Sequence, residues 1–172
     1  CRFAETLFVK FVKESTMEFY KYQGAGNDFL IADNRDGSCV ISPEEISAVC
    51  DRRYGIGADG LMLLGSSGTC DFRMEYFNSD GSGGMMCGNG GRCIVAFAAD
   101  KGITRFDFEA ADGLHTAEIL SVEGKTRTVR LKMIDVSGIK VYGNPSGSLE
   151  SQDGLCGYFL DTGTRHFVKM VG

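Results

Sequence analysis

The run Met85-Met86-Cys87-Gly88-Asn89-Gly90-Gly91-Arg92-Cys93 places a thiol at the mouth of a glycine-rich turn that leads straight into apolar residues, Ile94, Val95, Phe97 and Ala98. Free cysteine is ordinarily a small buried residue, and that role suits Cys39, Cys50, Cys70, Cys93 and Cys156. Cys87 fits it less well, because Gly88, Asn89, Gly90 and Gly91 offer almost no apolar surface around it. A helix starting at this turn leaves its first N–H groups unpaired. Such a start favours the thiolate over the thiol and can hold an anion such as a carboxylate.

Three other chemistries compete for this turn. A phosphate loop would carry lysine followed by Ser or Thr at the helix start, where this chain has Arg92-Cys93. A zinc site would bring its ligands two to four residues apart in pairs, whereas Cys87 and Cys93 are six apart, and His115 and His166 lie far along the chain. No metal site is expected. A hydrolase-type cysteine nucleophile needs a histidine; His166 could serve, so this alternative stays open on the residues alone.

The bulk numbers restrict the partners. The net charge is -5, and no block of like charge occurs, which argues against a nucleic-acid footprint or a polybasic membrane surface. Small molecules or proteins are the expected partners. Seven cysteines without a C-x-x-C pair suggest neither a disulfide framework nor a zinc knuckle, so a reducing cytoplasm is the expected location. No apolar run is long enough for a membrane span. The 24 glycines, about twice the usual share, imply many tight turns or backbone-lined sites.

The elements that position Cys87 follow from periodicity. "MEFYKYQGAGNDFLIAD" reads as strand, turn over Gly24 to Asp28, and strand. Ser42 as N-cap, Pro43 at the first helical position and Glu45 closing a capping box start a helix that turns Ile46, Val49 and Cys50 to the core. Leu61 to Leu64 form a short buried strand, and Phe72, Met74 and Tyr76 alternate on one face of the strand that delivers the Cys87 loop. The helix after Cys87 is apolar on nearly every side and ends at Gly102, so it belongs inside a wrapped sheet. Phe106 and Phe108, Ala117 and Ile119, then Val129, Leu131 and Met133 supply the wrapping strands, with hairpins at Asp112-Gly113 and Glu123-Gly124. Residues 1–16 stand as an extension, "TLFVKFV" within them being the alternative of a short strand; 17–137 form a first domain, and 138–172 begin a second.

The blocks "GAGNDF", "RRYGIGADGL", "FRMEYFNSDGS", "MCGNGGRC" and "DTGTRHFV", in this order and spacing, resemble diaminopimelate epimerase. The resemblance covers about Met17 to the end of the chain. It implies an α+β fold, an antiparallel sheet curled around a central helix in each of two pseudo-symmetric domains, the second incomplete here. It further implies a cofactor-independent epimerase that interconverts LL- and meso-diaminopimelate, with two cysteines acting on opposite faces of the α-carbon. By this resemblance Cys87 is the first of those cysteines, and Gly88 and Asn89 contact the α-carboxylate through their backbone. Asn27 and Asn78 hold polar groups of the substrate, and His166 helps set the protonation state of the thiols. Thr164 falls where many members have a substrate-binding asparagine, Arg165 where they have proline, and Gly60 where some carry glutamine. The complete enzyme is expected to be cytoplasmic and homodimeric.

No second glycine-rich cysteine block occurs in the 172 residues, and Cys156 lacks a following helix, so the chain is expected to stop within the second domain. Two other readings remain: a folded but inactive domain, and another racemase or isomerase of the same fold.

Overall fold

The computed structural model describes residues 1–10, 16–142, 157–161 and 165–169. Two compact units form, 1–132 and 133–172. In the first, eight strands close into a barrel in sequence order: β1 (Arg2–Lys10), β2 (Thr16–Gly24), β3 (Asn27–Asn34), β4 (Gly60–Gly65), β5 (Phe72–Asn78), β6 (Phe106–Ala110), β7 (Gly113–Glu123) and β8 (Thr126–Leu131). Closure runs through Arg2 opposite Thr126.

The sheet is mixed rather than wholly antiparallel: β3 with β4 and β5 with β6 run parallel, and the remaining neighbours are antiparallel. Parallel neighbours need a crossover connection. The two helices supply it, α1 (Pro43–Cys50) between β3 and β4 and α2 (Gly88–Asp100) between β5 and β6.

The α1 start is fixed by the expected box, in which Glu45 N–H donates to Ser42 Oγ at 3.2 Å and Ser42 N–H to Glu45 Oε2 at 2.8 Å. Its Ile46, Val49 and Cys50 pack with Phe19, Leu30, Ala32, Leu61 and Leu63 in one cluster. The opposite faces of β3 and β4 are buried as well, at Phe29, Ile31, Met62 and Leu64. Every residue of β4 is therefore buried, which is why its sequence reads as a continuous apolar run without alternation.

Helix α2 threads the barrel and touches β1, β2, β3, β4, β7 and β8. Consistent with that position, Cys93, Ile94, Val95, Ala96, Phe97 and Ala98 are all buried. Each large apolar side chain sealed this way contributes about 1.5–3 kcal/mol. The helix ends in a Schellman motif: Ile103 N–H reaches Ala98 O at 3.0 Å, Gly102 N–H reaches Ala99 O at 3.0 Å, and Gly102 takes φ +85° as expected for the stop.

The second unit is a three-stranded antiparallel sheet in the order β11-β10-β9, from β9 (Ser137–Tyr142), β10 (Gly157–Asp161) and β11 (Arg165–Val168). Cys156 lies outside the described residues.

Candidate active site

Strand register gathers one group of residues at one end of the barrel. Phe29 pairs with Gly60, and Gly60 pairs with Asn78. The start of β3, the start of β4 and the end of β5 are thus side by side. Asn27 opens β3, Asp59 immediately precedes β4 and Asn78 closes β5.

Asn27 follows a two-residue hairpin in which Ala25 and Gly26 have φ +55° and +84°. Such a turn requires positive φ at both central residues. Ala25 is the only non-glycine residue with positive φ among the described residues, so strain is held two residues before Asn27.

Cys87 is the N-cap residue of α2, with φ -117° and ψ 126°, and its side chain makes no capping bond. Its carbonyl accepts the first helical bond from Gly91 N–H at 2.7 Å. The preceding amides, Gly88, Asn89 and Gly90, have no intrahelical acceptor. The free thiol is half-buried and lies 3.8 Å from Asn27 Oδ1. Gly91 allows the tight packing behind it, since a Cβ there would stand 2.6 Å from the Met86 methyl and 2.7 Å from a Leu131 methyl.

Asn27 is itself held by charge. Its Nδ2 donates to Asp59 Oδ2 at 2.5 Å, and the same oxygen accepts Asp28 N–H at 3.2 Å. Arg52 bridges Asp59 at 2.8 Å and Asp28 at 2.6 Å, and Lys21 lies 3.2 Å from Asp28. Burial alone would push the Asp28 carboxyl up. The hydrogen bonds from Arg52 and Lys21 outweigh it and bring the group down to about 2. A depressed carboxyl stabilises the fold above its unfolded value of about 3.9, and that contribution is lost as pH falls through the folded value. Acidification from about pH 4 to about pH 2 should therefore lower the melting temperature, and Asp28→Asn should flatten that dependence. Parallel melting curves for the two proteins test it.

The other expected site residues distribute as follows. Asn78 lies at the end of β5, where its N–H donates to Ser82 O at 2.9 Å and its Nδ2 to Ser82 Oγ at 3.0 Å, so its side chain supports its own turn. Asn89 uses its side-chain oxygen on Arg92, one helical turn on. That leaves its backbone N–H, with that of Gly88, facing the helix start. His166 is on β11 in the second unit, opposite Leu160, and is exposed. Thr164 lies outside the described residues. Among the described residues no three His, Cys, Asp or Glu side chains converge to hold a metal ion, and no helix is long and apolar enough to cross a membrane.

Two residues at this end have no role at the site that the sequence pattern marks. Tyr76 fills the space a side chain at Gly60 would need: a Cβ on Gly60 would stand 2.5 Å from Tyr76 Cε2 and 2.5 Å from Phe77 O, and one on Gly84 would stand 2.1 Å from Tyr76 Cδ1. Burial, then the fields of Cys87, Asp59 and Cys50, push the Tyr76 phenol up to about 12, so it remains a neutral donor. Asp59 is the second. Its sequence cue is its place in the short run Gly57-Ala58-Asp59-Gly60.

Comparison with known proteins bears on the same residues. The family model for diaminopimelate epimerase matches residues 19–137. A diaminopimelate epimerase from Flavobacterium psychrophilum is 43% identical over 161 residues, covering 90% of this chain and 56% of that protein. One from Chlorobaculum tepidum is 44% identical, covering 86% and 55%. The chain thus spans a little over half the length of these relatives.

Among solved structures, a PhzF-family phenazine biosynthesis protein from Bacillus anthracis superposes with a TM-score of 0.57 at 17% identity, covering 95% of this chain and 55% of that one. A probable proline racemase from Agrobacterium radiobacter gives a TM-score of 0.53 at 14% identity, covering 74% and 46%. These two share the fold. A family match that includes the Asn27 turn, the Asp59 loop, the Asn78 turn and the Cys87 helix start, with about 43% identity across nearly the whole chain, shows that the chain belongs to the diaminopimelate epimerase family.

Proposed function

We propose that the chain forms the Cys87 half of a diaminopimelate epimerase site, and that the protein interconverts LL- and meso-diaminopimelate by proton transfer through two cysteines without a cofactor. The observation that carries this reading is the position of Cys87, a free thiol at the first turn of a buried helix with Asn27 Oδ1 3.8 Å away.

In one direction the Cys87 thiolate takes the α-proton. The Cα–H bond breaks, the proton moves to Sγ, and the electron pair passes into the α-carboxylate. The free amides at the start of α2 face the developing oxyanion charge, where fixed donors are worth most. A thiol on the opposite face returns a proton to the carbon and inverts it. In the reverse direction Cys87 is the acid, and its S–H has Asn27 Oδ1 as acceptor. His166 is proposed to tune the thiols, and Asn27, Asn78 and Thr164 to hold the substrate's polar groups.

The opposite-face cysteine is not supplied by a second glycine-rich block in these residues. The 172-residue chain alone is therefore expected to give no LL-to-meso conversion, while the protein with the remaining length of its relatives gives it. Chiral chromatography of the product is the assay. Conversion by the short chain, or none by the long one, contradicts the proposal.

A further inference from the structure

We propose that Asp59 is a positioning residue that fixes which end of the Asn27 amide faces Cys87. The inference rests on the reading of Cys87 as a proton-transfer group. An ionised carboxylate only accepts hydrogen bonds. Asp59, bridged by Arg52 at 2.8 Å, therefore takes the Nδ2 end of Asn27, at 2.5 Å. The other end, Oδ1, is left 3.8 Å from Cys87 Sγ.

The anchor does not move with Asn27. Asp59 also accepts Asp28 N–H, and Arg52 ties Asp59 to Asp28, which Lys21 holds while it donates to Gly57 O at 2.6 Å. Two carboxylates and two cations from β2, β3 and the loop before β4 thus set the orientation of one neutral amide. Without Asp59 the amide can turn its Nδ2 toward the sulfur. An acceptor beside sulfur favours the thiol, and a donor favours the thiolate. Asp59 accordingly keeps an acceptor at Cys87, which suits the half of the cycle in which Cys87 carries the proton.

The test is the alkylation of Cys87 by iodoacetamide, followed by mass spectrometry. The ratio of the rate at pH 7 to the plateau rate at high pH cancels differences in access to the thiol. Asp59→Ala should raise this ratio about three- to tenfold, the scale of one lost hydrogen bond. Asn27→Ala should raise it similarly, and the double variant no further, because the two residues act as one unit. Asp59→Asn keeps an acceptor and should stay within about twofold of the unchanged chain.

A second measurement needs no Asp59 variant. In the unchanged chain one Asn27 Nδ2 proton, assigned by its loss in Asn27→Ala, should exchange with water roughly tenfold more slowly than that of an exposed asparagine. An unchanged ratio in Asp59→Ala, additive effects in the double variant, or free exchange of both Asn27 protons overturns the proposal. Protection of Cys87 by diaminopimelate is scored separately. A raised ratio without protection leaves Asp59 in place and removes the substrate reading; protection with an unchanged ratio does the reverse.

Discussion

On the proposed function, in a protein spanning the whole length of its relatives, Cys87→Ser should lower the interconversion of LL- and meso-diaminopimelate by about a hundred- to ten-thousand-fold, the range a positioned acid or base supplies. The substitution is nearly isosteric, and the side chain makes no capping bond that the fold depends on. Melting temperature should change little. The hydroxyl ionises far less readily than a thiol, so it neither takes the α-proton nor returns it on the same schedule. Turnover measured in both directions checks the claim; loss in neither direction contradicts it.

Gly81→Ala has the largest expected effect on stability. Gly81 has φ +82°, and a Cβ there would stand 2.2 Å from Pro43 O and 2.7 Å from Pro43 C. Backbone strain and overlap with rigid backbone each cost about 1–3 kcal/mol, so about 2–6 kcal/mol is expected together. For a chain of this length that lowers the melting temperature by roughly 4–24 °C. The turn at risk is the one that shapes Asn78, since Gly81 N–H donates to Asn78 O at 2.9 Å. The same glycine seats that turn on the start of α1. Calorimetry on the two proteins decides it, and a shift of a degree or two would show that the turn relaxes away from Pro43.

The parts of the fold that were legible in the sequence are those with local causes. The α1 start is written in Ser42, Pro43 and Glu45, and the α2 stop in Gly102. The apolar run of β4 marked a strand covered on both faces. Parallel pairing of β3 with β4 left no such mark, because a crossover strand carries no turn residue that names its neighbour. The closure of β8 on β1 is equally silent, since it joins Arg2 to Thr126 across most of the unit.

The site divides the same way. Cys87 was legible because a cysteine before a glycine turn and an apolar helix has a local chemical meaning. Asp59 and Arg52 were not: their bonds to Asn27 and Asp28 span 32 and 24 residues, and single exposed charges have no periodicity to betray them. Tyr76 shares its alternating face with Phe72 and Met74. That face gave no sign that its ring occupies the space beside Gly60, where some family members carry glutamine.

In the proposed site the start of α2 joins the Cys87 thiol to a grip for a substrate carboxylate. The alkylation rate of Cys87 across a pH series, with and without diaminopimelate, tests it most directly. Cys50 and Cys93 serve as internal controls, because burial pushes their thiols up to about 11 and about 12. Cys87 should react well before both, and diaminopimelate should slow it selectively. Reaction of Cys87 at the pace of the buried pair, or no protection by diaminopimelate at any pH, would contradict the proposed site.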